Sequence, residues 1–115
     1  MSINTTKVTE VDVTPGTGTS TAGAATVNQQ SGVITTEALV TAAATTYSFT
    51  LTNSLINASS VVLVTVGKGT ATTGEPAVHF VTPAAGSAVI AIRNDAAAAA
   101  LNGTIKIGYV VFNLS

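Results

Sequence analysis

His79 is the one histidine of the chain, and it sits between Val78 and Phe80 in a stretch with strand character, so its ring should point away from theirs. General acid–base work would need a partner within hydrogen-bond reach. Glu75 is near in sequence, but it precedes Pro76 in a loop and reads as a solvated charge. The five acids are Glu10, Asp12, Glu37, Glu75 and Asp95. Counting alone would allow a carboxylate pair for glycoside hydrolysis. Glu10 and Asp12 share one face of an extended segment, a spacing that suits a cation such as Ca²⁺. Calcium, however, takes about six to eight oxygens from a recognisable acidic loop, and this chain has no such loop.

The glycines and serines fare no better. Gly16-Thr17-Gly18 and Gly67-Lys68-Gly69-Thr70 look superficially like phosphate loops. A phosphate cradle has a longer glycine spacing that ends in Gly-Lys-Ser/Thr and opens a helix. Gly67-Lys68-Gly69 instead leads from a strand into a threonine-rich loop and reads as a turn. A serine nucleophile needs a base and an orienting acid, and a single histidine without a nucleophile elbow supplies no candidate. The sequons at Asn4, Asn57, Asn102 and Asn113 matter only in a secreted eukaryotic protein and read as accidents of an Asn/Ser/Thr-rich chain. Without cysteine there is no disulfide framework and no thiolate metal site. No residue is therefore assigned a catalytic, cofactor-binding or metal-ligating role, no cofactor is expected, and the expectation is a protein that is not an enzyme.

The whole chain has 115 residues, enough for one domain with a modest core. Hydrophobic residues make up 46% and charged residues 8%, and it is the second figure that sets the chain apart. Globular proteins carry about 25% charge. Threonine, serine and asparagine must supply the polar surface instead. The net charge is −1 and the cations Lys7, Lys68, Arg93 and Lys106 are scattered, which disfavours nucleic-acid binding. The longest strongly apolar run, Val61 to Val66, is broken by Thr65 and falls far short of the roughly 20 residues that span a bilayer, so no membrane is expected as a partner. The start Met1-Ser2-Ile3-Asn4 lacks a signal-peptide core, which leads us to expect a chain made in the cytoplasm.

Residues 1–29 differ from the rest. Val8, Val11 and Val13 lie in a short stretch with Glu10 and Asp12, followed by the low-complexity run Thr14 to Gly23. This composition predicts an extended or flexible N-terminal arm. Residues 30–115 predict a β-sandwich domain. Gly32 to Thr36 is β-branched. Thr46 to Thr52 alternates, with Tyr47, Phe49 and Leu51 on one side, which marks a half-buried strand. Ser60 to Gly67 is almost continuously Val/Leu, the pattern of a central strand covered on both faces. Ala77 to Thr82 is ended by Pro83, and Ser87 to Arg93 follows a Pro83–Gly86 turn. Gly103 to Leu114 sets Ile105, Ile107, Tyr109 and Val111 against Lys106, Gly108, Val110 and Phe112. Asn53 is read as the cap of one helical turn at Leu55-Ile56, and Asp95 as the cap of one or two turns over Ala96 to Leu101. Close, regular strand spacing predicts an all-β fold: a single antiparallel β-sandwich, jelly-roll-like, with the N-terminal arm.

Exposed strands normally carry lysine and glutamate that keep strangers from pairing with them. Here those charges are nearly missing, so a homo-oligomer is expected. The strings Ala38 to Asn53, Val81 to Ile90 and Leu101 to Gly108 resemble small structural proteins of tailed bacteriophages, in particular head decoration (cement) proteins. The similarity covers residues 30–115. It implies a sandwich on the outer capsid surface of a virion, with the major capsid protein as partner, clustering as a homotrimer at three-fold positions and clamping adjacent capsomers. No site residue carries over from it. The other readings are a phage tail, fibre or baseplate component, and a carbohydrate-binding module. A sugar site would need exposed aromatic platforms, for which only Tyr109 or Phe112 is available.

Overall fold

The computed structural model describes residues 15–113, and these are all-β, with no helix among them. The strands are β1 (Pro15–Thr19), β2 (Ala24–Thr26), β3 (Ser31–Thr35), β4 (Thr46–Thr52), β5 (Val61–Lys68), β6 (Pro76–Ala84), β7 (Ser87–Asn94) and β8 (Ile105–Phe112). They form two four-stranded sheets, A in the order β1-β3-β8-β5 and B in the order β2-β4-β7-β6. Consecutive strands mostly change sheet, so nearly every connection crosses an end of the sandwich.

The alternation in the sequence sets the core. Phe49 and Leu51 of β4, Ile90 and Ile92 of β7, and Ile105, Ile107 and Val111 of β8 point between the sheets and are fully buried with Ile34. Tyr109 joins them, its hydroxyl donating to the Gln29 carbonyl at 2.9 Å, and so it is core and not a surface platform.

Several expectations are corrected. The sheets are mixed, not wholly antiparallel: β1 runs parallel to β3 and β2 parallel to β4. Over residues 15–29 the expected arm belongs to the sandwich, because β1 and β2 add an edge to each sheet. The rest of it, residues 1–14, lies outside the described residues. Gly16 and Gly18 explain how so featureless a segment packs. A Cβ on either would stand 2.5 or 2.8 Å from a Val27 side-chain carbon, so the glycines admit Val27 against the strand. The helical turns are absent. The side chain of Asn53 accepts from the Leu55 N–H at 2.9 Å in a tight turn. At the other end it is Asn94, not Asp95, that accepts from Ala96 N–H, at 3.1 Å. Pro83 does not end its strand, since β6 is an edge and loses nothing by the missing N–H. Nor is the Val/Leu run central: β5 is the outer strand of sheet A.

Asn94 organises one end of the sandwich. Its buried amide donates to the carbonyls of Thr41 at 3.1 Å and Ala99 at 2.9 Å. Its carbonyl oxygen accepts from Glu75 N–H at 2.9 Å as well as from Ala96. Three connections, 36–45, 69–75 and 95–104, are thus tied through one side chain. Asn53 does similar work at the opposite end, donating to Gln29 O at 2.7 Å. Asn94→Leu would keep the volume and strand these backbone groups. It is expected to destabilise the fold by about 3 kcal/mol or more in chemical denaturation.

Between β1 and β2 the chain reverses through Ala22-Gly23, both at positive φ, 51° and 79°. That is the conformation in which Asn-Gly is preferred and alanine is strained. Ala22→Asn is expected to raise stability by about 1 kcal/mol, read as an increase in Tm.

Candidate interaction face

The outer face of sheet A is built from the residues that alternate with the core. Val110 of β8 stands opposite Ser31 of β3 and Leu63 of β5. Gly108 stands opposite Val33 and Thr65, Phe112 opposite Val61, and Lys106 opposite Thr35 and Gly67. Val33, Leu63, Val61 and Phe112 are 45%, 55%, 44% and 44% exposed, an unusual density of open apolar side chains on one small sheet. Because Gly108 has no side chain, a shallow groove of about 410 Å³ opens between Val33, Leu63, Thr65 and Val110. Beyond Val33 the face turns polar and a second depression of about 450 Å³ is lined by Thr17, Thr19, Thr35 and Lys106. Lys106 is the one charge on the described part of this face.

The residues that could have carried chemistry are dispersed. His79 sits at a bulge in β6 between Val78 and Phe80, the register shift placing both His79 and Phe80 outside, with ring centroids 5.0 Å apart. Phe80, expected to point opposite to His79, is therefore an exposed aromatic that the strict alternation missed. Asp95 pairs with Arg93 at 3.1 Å on the surface, a contact worth no more than about 1 kcal/mol. Glu75 and Asp95 flank the Asn94 junction, and the backbone N–H of Asp95 donates to Glu75 O at 2.9 Å. Gly67 and Lys68 lie within β5, and the next residue, Gly69, packs directly on Thr104. Among the described residues no group of three His, Cys, Asp or Glu is placed to hold a metal ion, and Glu10 and Asp12 fall outside them. Asn4 lies outside the described residues, and the other sequon asparagines brace loops: Asn57 accepts from Ser59 N–H at 2.8 Å, Asn102 accepts from Thr72 N–H at 2.7 Å and Thr73 N–H at 3.0 Å, and Asn113 donates to Leu55 O at 2.8 Å.

Glu37 alone is drawn into a cluster. It follows β3, Ser20 follows β1, and Tyr47 lies in β4, so the three meet where the two sheets close on each other. The Ser20 hydroxyl donates to Glu37 Oε1, and the Tyr47 hydroxyl lies 3.1 Å from both carboxylate oxygens and donates to them. The Glu37 N–H returns a bond to Ser20 Oγ at 3.2 Å. Burial alone would raise the Glu37 carboxyl pKa, but the bonds from Ser20, from its own backbone, from Tyr47 and from Gly23 outweigh it and hold the pKa below the ordinary value. Tyr47 is pushed up to about 12, first by burial and then by the negative charge of Glu37. These bonds tie the residues that follow β1 and β3 to β4, so the cluster clamps the two sheets together.

No protein-family model, no curated protein and no solved structure matches the chain.

The clamp makes stability depend on pH at both ends. Glu37 has a lowered folded pKa, so its contribution is present above the ordinary value of 4.5 and is lost as pH falls through the folded value. Tyr47 has a raised one, so its contribution is present below 10.0 and is lost as pH rises towards about 12. Urea unfolding across these ranges should show both losses, and Glu37→Gln should flatten the acidic one.

Proposed function

We propose that this protein is a non-enzymatic virion structural protein that decorates and stabilises a bacteriophage capsid by bridging adjacent capsomers. The observation that carries the reading is the outer face of sheet A, where Val33, Leu63, Val61 and Phe112 stand exposed with almost no charge among them. A face of this kind is suited to being covered by a protein partner, here the major capsid protein. The phage assignment itself rests on the resemblance of residues 30–115 to decoration proteins. A jelly-roll relationship and three-fold clustering belong to the same proposal. Eight strands in two four-stranded sheets suit a jelly roll, whereas the parallel edge pairs depart from its antiparallel pattern.

The mechanism is mass action. A protein that binds the assembled shell and not its separated subunits stabilises the shell by an amount that grows with the logarithm of its free concentration over Kd. No covalent chemistry is required, and every surface residue contributes through shape and desolvation. The place of action is the outer capsid surface.

The test is the position and strength of binding on purified particles. Wild-type chain should co-sediment with capsids and appear on their outer surface by electron cryomicroscopy. Val33→Glu/Phe112→Glu places two charges on the apolar face at exposed positions and should weaken binding by roughly tenfold or more while leaving Tm nearly unchanged. Density on the tail instead of the head would move the protein to a fibre or baseplate role. Selective binding on a glycan array that depends on exposed Phe80 would favour a carbohydrate-binding module.

A further inference from the structure

β5 has the sequence of a central strand and the position of an edge. It carries no proline, no bulge and a single charge, Lys68 at its end. Its outward Val61 and Leu63 are exposed. Its inward Val62, Val64 and Val66 pack against the core yet remain only partly covered. Among the described residues its backbone pairs with β8 alone, which leaves a row of N–H and C=O groups free along the other side. The remaining three edges are guarded. β6 has Pro76, Pro83 and the bulge at Val78/Phe80. β2 is 3 residues long, and β1 is 5 residues long with Pro15 at its start.

We infer that β5 pairs with the β5 of a second copy, edge to edge and antiparallel, joining two copies of sheet A into one continuous sheet. The occupant follows from the charges and from the edges. Antiparallel pairing sets each Lys68 beside the apolar start of the other strand, whereas parallel pairing would put the two lysines side by side. Among the described residues no other edge offers a comparable strand, so like pairs with like. A self-complementary contact of this kind closes after two copies and does not propagate. The exposed patches around Leu63 and Val110 then become neighbours in one broader apolar platform. The contact is two-fold, and it does not rest on the capsid reading.

Sedimentation velocity of the full chain tests it, using Leu63→Lys/Thr65→Lys and Leu63→Glu/Thr65→Glu. Both positions are exposed, so circular dichroism and Tm should report an intact fold. Wild type should sediment at twice the chain mass and each variant at the chain mass, because like charges then face each other across the pair. An equimolar mixture of the two variants should restore the two-fold species, because positions 63 and 65 of one copy lie opposite or diagonal to those of the other in a register centred on the strand. Alternate amides of residues 61–67 should exchange at least roughly tenfold more slowly in wild type than in either variant alone. Wild type at the chain mass, wild type at three times the chain mass, or variants that associate as wild type does would each overturn the inference. A two-fold protein that ignores particles sinks only the capsid reading; a monomer that still decorates them sinks only this one.

Discussion

A chain that changes sheet at almost every connection must find partners for the backbone of each crossing, and two buried asparagines supply them. Loops normally stay at the surface because water satisfies their polar groups. Here the crossings carry Leu39, Ile56, Ala71 and Leu101 inward as extra core, which draws the adjoining backbone out of water. An asparagine amide is suited to that situation, since it donates and accepts from one planar group. Asn94 and Asn53 end β7 and follow β4, one at each end of sheet B. They let the loops collapse onto the hydrophobic layer, and the position of every strand relative to its neighbour in the other sheet depends on that collapse.

The fold class was legible because the two-residue period survives wherever a strand is flanked by core on one side only. Thr46 to Thr52 and Ile105 to Phe112 state their own orientation, and the structure places Phe49, Leu51, Ile105 and Ile107 inward as the pattern requires. The period says nothing about neighbours. A run such as Val61 to Val66 has the same composition whether a partner strand lies beside it or is missing. The parallel pairing of β1 and β2 was hidden for another reason. Gly16 and Gly18 of β1 leave the space that Val27 fills, so low complexity there marked close packing and not freedom. Phe80 escaped because one extra residue in β6 reverses the alternation, and nothing local to Val78-His79-Phe80 announces the bulge.

The candidate face was half legible. The outward set Lys106, Gly108, Val110 and Phe112 was readable from β8, but its apolar character as a surface depends on which strands flank it. Val33 and Leu63 come from strands almost 30 residues apart, brought together only by the register on either side of β8. The Ser20–Glu37–Tyr47 clamp was invisible for the same reason, since three unremarkable polar residues meet only once the two sheets close.

The central place of β8 in sheet A has a consequence for biogenesis. Residues 105–112 follow every other strand in the chain, and β3 and β5 touch no common neighbour until β8 lies between them. During translation sheet B can assemble from β2, β4, β7 and β6 while half the sandwich still waits. The nascent chain must therefore shelter Ile34 and the valines of β5 without their native cover, a period in which non-local pairing is slow and association with strangers is favoured.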